Sequence, residues 1–284
     1  MIVVRSVSEI RKVVSSHRRD GKSIGLVPTM GALHDGHLSL VDASKKECDL
    51  TVATIFVNPL QFGPQEDYAS YPRDEDTDSR RLVSRGCDVL FAPTVRDVFS
   101  NGVFDLTAYP TVVTVRRLTD GLCGRTRPGH FDGVTTEVLK FLLMTLPDVA
   151  YFGEKDFQQL RVVAQMVADL DVPVRIQSVP TVREPDGLAM SSRNSYLTAG
   201  EREVAPQLHR SLLSIAERCR KGAACADVCA SERRRLLGVG FRAIDYLEVV
   251  DVQTLSPVDS VTKPSRAMAA AWLGRARLID NVPI

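Results

Sequence analysis

Pro28-Thr29-Met30-Gly31-Ala32-Leu33-His34-Asp35-Gly36-His37-Leu38-Ser39-Leu40 is the stretch whose reading decides the fold. It follows a short apolar run, Ile24 to Val27, which predicts a buried strand. It leads into Leu38, Leu40, Val41 and Ala43, whose spacing suits one face of a helix. The polar residues therefore fall in a strand-to-helix turn, where Gly31 and Gly36 let the backbone turn tightly and a ligand come close. His34 and His37 stand three apart at the expected helix start, where N–H groups and the positive dipole end favour an anion. Two imidazoles at such a start point to a nucleotide phosphate. A zinc helix of the metalloprotease kind needs a four-residue spacing with a Glu inside it, and this segment has neither.

Composition sets the bounds around that turn. A chain of 284 residues suits two domains, and 44% hydrophobic content supports a real core. A formal net charge of +1 gives no electrostatic case for a nucleic acid or an anionic membrane. No apolar run approaches the roughly 20 residues that span a bilayer, and the N-terminus lacks the long apolar core of a secretory signal. Of the six cysteines, Cys48, Cys87, Cys123, Cys219, Cys225 and Cys229, none forms a Cys-x-x-Cys pair. They read as reduced thiols of a cytoplasmic protein, and the irregular spacing of Cys219, Cys225 and Cys229 argues against a metal clip.

Working outward, Ile2 to Val4 predicts an edge strand. Ser6 and Glu9 form a capping-box pattern ahead of a helical stripe, Val7, Ile10, Val13 and Val14, that ends near Asp20-Gly21. Leu50 to Val57 predicts a buried parallel strand stopping at Asn58-Pro59. Strand, helix, strand with turn chemistry at the strand ends is the pattern of right-handed βαβ units. Ligands of such sheets collect at the carboxyl ends of the strands, which places Met30, His34, Asn58 and Gln61 near one crevice. Asp74 to Gly86 predicts a charged helix whose Asp76 and Asp78 either complement the helix dipole or contact a metal. Val89 to Ala92 and Val112 to Val115 predict short strands. Gly121 to Gly133 holds four glycines, two arginines and a histidine, and reads as a mobile phosphate-facing loop or as a solvated one. A helix over 134–146, a strand over 149–152 with Gly153-Glu154-Lys155-Asp156 as its turn, a helix over 157–169 and a strand over 174–179 complete this half.

Beyond a boundary near Thr181 the pattern changes. Thr198 and Glu201 form a second capping box, followed by one long helix to about Lys221 and another to about Leu237. Ile244 to Val250 and Ala267 to Leu273 predict strands. The reading is an α/β protein: a Rossmann-like parallel-sheet domain over 1–180 and a smaller α+β domain over 181–284. Each carries a phosphate-suited element. One is the His34-Asp35-Gly36-His37 turn. The other is Met190-Ser191-Ser192-Arg193, whose hydroxyls and guanidinium suit anionic oxygens.

These paired elements, in this order, resemble the His-x-Gly-His and Lys-Met-Ser-Lys-Ser-like signatures of the nucleotidyltransferase superfamily. Within it, the chain resembles the pantoate–β-alanine ligase family almost end to end. The resemblance rests on Val27 to Gly31, Phe56 to Pro64, Tyr71-Pro72-Arg73, Arg127 to Phe131, Phe152 to Leu160, Asp186 to Asn194 and Arg277 to Asn281. It implies a reaction in which ATP and pantoate form a pantoyl adenylate and pyrophosphate, and β-alanine then gives pantothenate and AMP. It implies a lid-like C-terminal domain, magnesium and a homodimer. It assigns His34 and His37 to the reacting phosphoryl group, and Lys155, Ser191, Ser192 and Arg193 to the other phosphates. It places Met30, Gly153, Asp156, Val182 and Met190 around ATP, and Met30, Asn58, Gln61 and Gln159 around the substrate. It makes Asp78 the magnesium-associated position.

The alternatives are a nucleotidylyltransferase that leaves the nucleotide on its product and a non-catalytic nucleotide-binding regulator. Three positions depart from the family pattern. Thr77 stands where an acidic residue is expected, and Phe99-Ser100-Asn101-Gly102 lacks a Tyr-Pro before Gly. Glu137 puts a charge at an apolar helix position, facing either solvent or a subunit interface.

Overall fold

The computed structural model describes residues 1–64, 66–99 and 106–284; the departure at Phe99-Ser100-Asn101-Gly102 therefore falls, apart from Phe99, outside the described residues. The chain divides into two compact units. The first comprises 1–116, 127–154 and 159–180; the second comprises 117–126, 155–158 and 181–284.

Chain order in the first unit begins β1 (Ile2–Val4), α1 (Val7–Arg19), β2 (Ile24–Val27), α2 (Asp35–Glu47), β3 (Leu50–Thr54), α3 (Glu75–Ser84), β4 (Val89–Phe91) and α4 (Val95–Val98). After α5 (Leu122–Thr126), which belongs to the second unit, come α6 (His130–Thr145), β5 (Val149–Gly153), α7 (Phe157–Asp169) and β6 (Arg175–Val179). The six strands form one parallel sheet in the order β1-β4-β3-β2-β5-β6. The central strands β2 and β3 are buried along their whole length, as apolar runs in a sheet covered on both faces should be. Alternation sends Val27 and Ala53 to a core shared with Leu40 and Val41 of α2 and Leu82 of α3. Elsewhere in the unit Phe141 of α6 packs edge-on against Phe56 and Phe91. The order of connection reverses between β2 and β5, so the segments leaving these two strands flank the point where such sheets bind ligands.

Local chemistry accounts for most boundaries. The Ser6–Glu9 and Thr198–Glu201 capping boxes are both formed, each at the start of a helix. Asp74 caps α3 by accepting the N–H of Thr77. Four sequence expectations need correction. The segment 112–115 is extended but joins no sheet: the Val113 N–H donates to Thr136 Oγ1, and its carbonyl accepts from Thr135 Oγ1, so two hydroxyls of α6 replace a neighbouring strand. The loop expected over 121–133 is instead α5 and the first turn of α6, and the buried Gln158 ties α5 down by accepting the Cys123 N–H and donating to the carbonyls of Leu118 and Gly121. The single long helix expected after Thr198 is two helices, α8 (Ala199–Val204) and α9 (Gln207–Arg220), because Pro206 lacks the N–H that would continue the ladder. Finally, Ala276–Pro283 is a strand that the sequence reading did not assign.

In the second unit, α10 (Cys225–Gly238) follows α9, and β7 (Ala243–Asp251), β8 (Ser265–Leu273) and β9 (Ala276–Pro283) form an antiparallel sheet in that order. One core joins Leu208, Leu212 and Ile215 of α9, Val228 and Leu236 of α10, and Ala267, Ala269 and Ala271 of β8. All six cysteines are free and buried, and burial pushes the thiols of Cys87 and Cys229 up to about 11, so these remain protonated. No described helix is long and apolar enough to cross a membrane.

Gly133 sits where α6 meets the short 3₁₀ turn Pro59–Gln61. A Cβ there would lie 2.3 Å from the carbonyl oxygen of Leu60. Because backbone cannot yield as a flexible side chain can, Gly133→Ala is expected to destabilise the first unit by about 3 kcal/mol. Thermal denaturation of the purified variant checks this; an unchanged melting temperature would mean that the helix and turn separate freely.

Candidate active site

The turn after β2 is built by a buried carboxylate. Gly31 and Ala32 both adopt left-handed backbone, at φ 81° and 50°. This aims the N–H groups of Ala32 and Leu33 together at Asp78, whose two oxygens accept them at 2.8 Å each. Gly31 is required here, since a Cβ would stand 2.9 Å from Asp78 Oδ2 as well as at an unfavourable φ. Burial pushes the Asp78 carboxyl up from its ordinary value, against the two backbone bonds that hold it down. Arg81 completes the clamp by donating to the carbonyl of Leu33 at 2.8 Å.

The resemblance implies a magnesium-associated role for Asp78. Here it is 3% exposed, with each oxygen already bonded to the turn. Among the described residues no group of three or more His, Cys, Asp or Glu side chains is placed to hold a metal. The residues present therefore do not fit a protein-built magnesium site, and Asp78 serves the turn instead.

Beyond the turn, His34 caps α2. The Gly36 N–H donates to His34 Nδ1 at 3.1 Å, and the His34 N–H donates to His37 Nδ1 at 3.3 Å. Gly36 thus lies inside the helix and supplies a capping N–H, while Gly31 alone supplies the left-handed glycine of this turn. A ring nitrogen that accepts carries no proton, so in the neutral rings the proton stands on Nε2 in both residues. The two rings lie 4.0 Å apart between centroids. The backbone of a helix start thereby fixes two imidazoles in the tautomer that presents Nε2–H as donor.

The second cluster of the first unit surrounds Gln61. Asn58, wholly buried, accepts the Leu60 N–H on Oδ1 and donates from Nδ2 to Gln61 Oε1 at 3.1 Å. Gln61 Nε2 in turn donates to Met30 Sδ at 3.0 Å. The carbonyl of Gln61 accepts from His130 Nδ1 at 2.8 Å, while the guanidinium of Arg127 donates to His130 Nε2 and pairs with Glu66. Since an arginine only donates, His130 Nε2 is the acceptor and Nδ1 carries the proton. Met30, Asn58 and Gln61 are therefore brought together as expected. Arg127, His130 and Glu66 had not been singled out; the sequence signal for the first two was the Arg127-Pro128-Gly129-His130 block. Gly153, at the end of β5 and paired with Val179, and Gln159, half-buried in α7, stand at the carboxyl end of the sheet.

In the second unit, the Met190 N–H donates to the carbonyl of Val182 at 3.0 Å, which seats these two positions side by side. Ser191 caps the next turn by accepting the Arg193 N–H at 3.3 Å, and Ser192 opens that 3₁₀ turn. Lys155 Nζ lies 3.8 Å from Asp156, and the carbonyl of Lys155 accepts from Asn281 Nδ2 at 3.0 Å. Beside Asn281, Asp280 holds Arg183 through two bonds of 2.7 and 2.9 Å. Burial alone would raise the Asp280 carboxyl, but His209 and Arg183 hold it below its ordinary value. The end of β9 thus supports both the Lys155 turn and the segment from Arg183 to Met190.

Comparison with known proteins agrees with this architecture. The family model for pantoate-beta-alanine ligase matches residues 2–283. The chain is 52% identical to the pantothenate synthetase of Paramagnetospirillum magneticum over 282 residues, covering 99% of this chain and 97% of that protein. It is also 52% identical to the pantothenate synthetase of Dinoroseobacter shibae, with 99% of each chain covered. Among solved structures, the pantothenate synthetase of Thermus thermophilus superposes with a TM-score of 0.91 at 44% identity, covering 99% of both chains. The pantoate-beta-alanine ligase of Francisella tularensis, a complex with β-γ ATP and β-alanine, superposes with a TM-score of 0.83 at 32% identity, covering 99% of this chain and 97% of that one. With a family model spanning nearly every residue and half the sequence identical to full-length relatives, the chain belongs to the pantoate–β-alanine ligase family.

Proposed function

We propose that this chain is an ATP-dependent ligase that condenses pantoate with β-alanine to pantothenate, through a pantoyl adenylate, with release of pyrophosphate and AMP. The observation that carries the chemistry is the pair of imidazoles whose Nδ1 atoms are taken up at the start of α2, leaving Nε2–H as the donor of each ring. In the first step a carboxylate oxygen of pantoate attacks the α-phosphorus of ATP, a P–O bond forms, and pyrophosphate leaves with the electrons of the bond it breaks. Two anions must meet, so fixed donors and positioning supply most of the rate. His34 and His37 serve the α-phosphoryl oxygens. Lys155, Ser191, Ser192 and Arg193 hold the remaining phosphates, with Gly153, Asp156, Val182, Met190 and Met30 around the nucleotide.

In the second step the neutral amine of β-alanine attacks the acyl carbon, the C–O bond to AMP breaks, and the amine gives up its surplus proton. Gln61 and Gln159, with Met30, bind the hydroxyl and carboxylate groups of pantoate, while Asn58, expected among them, is wholly buried with its amide bonded inside the protein and acts by orienting Gln61. The two glutamine amides offer donors and acceptors together. Magnesium carries no step in this reading, because Asp78 is committed to its turn. The homodimer implied by the resemblance and the cytoplasmic location read from the cysteines belong to the proposal, and nucleic acid and membrane do not enter it.

The reading is tested by following the products. AMP should be released only when pantoate, ATP and β-alanine are all present, and oxygen label in the pantoate carboxylate should appear in AMP. Label in inorganic phosphate instead would mean that the γ-phosphoryl group is transferred and would sink the adenylate route. Two substitutions test the assignments. His34→Ala and His37→Ala should each lower kcat by about 100- to 1,000-fold while circular dichroism stays native, the usual cost of losing one positioned donor; near-normal turnover in either would remove that residue from the chemistry. Gln61→Ala should weaken pantoate binding by roughly 5- to 150-fold, corresponding to about 1–3 kcal/mol for unpaired substrate groups. ATP affinity should be unchanged, and titration calorimetry reads both.

A further inference from the structure

Glu137 lies on α6, where the family pattern leads one to expect an apolar residue. It faces neither solvent nor an exposed surface of its unit. The residue is 7% exposed, and Oε2 lies 3.2 Å from Nδ2 of Asn58. That nitrogen is oversubscribed. It also faces the carbonyl of Gly133 at 3.0 Å and Gln61 Oε1 at 3.1 Å, so three acceptors compete for two N–H bonds. Asn58 has no other orientation to offer, because its Oδ1 is held by the Leu60 N–H at 3.0 Å. A carboxylate accepts far more strongly than an amide or peptide oxygen. The charge state of Glu137 therefore decides which neutral acceptor loses its hydrogen.

We propose that Glu137 is a positioning residue for pantoate recognition: as a neutral acid it leaves the Asn58 amide to Gln61, and as a carboxylate it draws that amide away and frees the Gln61 side chain from its binding orientation. The proposal rests on the reading of Gln61 as a pantoate residue. Among the described residues, the side chain of Gln61 is held at two points, Asn58 at one end and Met30 Sδ at the other. A sulfur acceptor is weak, so losing the Asn58 bond removes the stronger restraint.

The environment sets where the switch operates. Burial pushes the Glu137 carboxyl up to about 8, against the single bond from Asn58. Among the described residues no charged group moves it. The Pro59–Gln61 turn packed on α6 carries no ionisable side chain. On α1, which also packs on α6, Glu9, Arg11, Lys12, Arg18 and Arg19 are exposed, and His17 bonds to the carbonyl of Val13. On α6 itself His130 is engaged by Arg127 and the Gln61 carbonyl, and Lys140 lies over the rings of Phe99 and Tyr109. The sign follows: Glu137 is neutral, and Gln61 held, below the midpoint; the held form is depleted as pH rises through it.

Calorimetric titration of the full-length protein with pantoate tests this without turnover. If only the held form binds, the apparent Kd rises in proportion to its depletion, about tenfold at one pH unit above the midpoint. Wild type should therefore bind pantoate about tenfold more weakly near pH 9 than near pH 7. Glu137→Gln, which cannot ionise, should show a flat profile. Glu137→Leu provides the same test should the Gln variant fold poorly. A wild-type profile that is itself flat, or a variant that keeps the alkaline weakening, overturns the role of Glu137. Gln61→Ala near pH 7 separates the two layers: unchanged pantoate affinity there overturns the Gln61 reading and this proposal with it, whereas a loss there beside a flat wild-type profile overturns Glu137 alone.

Discussion

The two hydrogen bonds from the Ala32 and Leu33 amides to Asp78 are the interaction on which the first half of the site depends. Consecutive backbone N–H groups that converge after left-handed residues form a concavity suited to an anion. In this chain that concavity is filled by the protein's own carboxylate. The consequence is directional. The turn closes on Asp78, the chain leaves it at His34 in extended conformation, and α2 begins with imidazoles rather than bare amides at its start. Left-handed backbone at Ala32 costs roughly 1–2 kcal/mol, and charge-assisted bonds of the kind Asp78 makes are worth about 1.5–3 kcal/mol. The turn is affordable only with its carboxylate in place. An acidic side chain expected to serve a metal thus serves the backbone that presents His34 and His37.

A different constraint governs the cluster around Gln61. Asn58, Gln61, Gly133 and Glu137 form a buried polar cluster in which every hydrogen has a claimant. Such clusters are rigid when satisfied and fragile when one member changes. Gly133 lets α6 approach the turn closely enough for its carbonyl to join the cluster. The same closeness brings position 137 within reach of Asn58. An apolar side chain there would leave the amide of Asn58 with two acceptors for its two hydrogens. Glu137 adds a third, and with it a dependence on protonation that the backbone alone does not impose.

Much of the fold was legible in the sequence because its signals are local. The Ile24–Val27 strand, the Ser6–Glu9 and Thr198–Glu201 boxes and the α7 boundaries all follow from short patterns, and the structure places them there. Met30, Asn58 and Gln61 were placed together by one rule about strand ends, and their side chains touch. What escaped the reading depends on partners distant in sequence. Val112 to Val115 has the composition of a strand, yet the backbone of its Val113 pairs with the hydroxyls of Thr135 and Thr136. The glycine-rich 121–133 stretch looks unstructured until Gln158 bonds Cys123 of α5 and the carbonyls of Leu118 and Gly121 before it. The inward orientation of Glu137 could not be read either, because it follows from a partner 79 residues away.

The missed strand β9 carries the deepest consequence. Asp280 and Asn281 sit near its end, opposite Ala269 and Met268 of β8. From there they reach two separate segments of the second unit. Asn281 holds the Lys155 carbonyl, and Asp280 with the Asn281 carbonyl holds the Arg183 guanidinium. Arg266 of β8 fixes Asn281 in turn by donating to its Oδ1. Lys155 and Met190 are 35 positions apart in the chain, and nothing in either motif refers to the other. Their common support is one pair of buried residues in a hairpin. In the proposed function the motifs name the groups that meet the phosphates, while an Asp-Asn pair outside them holds the backbone that carries them. The same division holds in the first unit, where Asp78 and Asn58 bond to backbone and neighbouring amides. In both units the buried carboxylate and carboxamide work on the protein itself, and the half-buried histidines, lysine and hydroxyls are the groups that the proposed function assigns to the substrate.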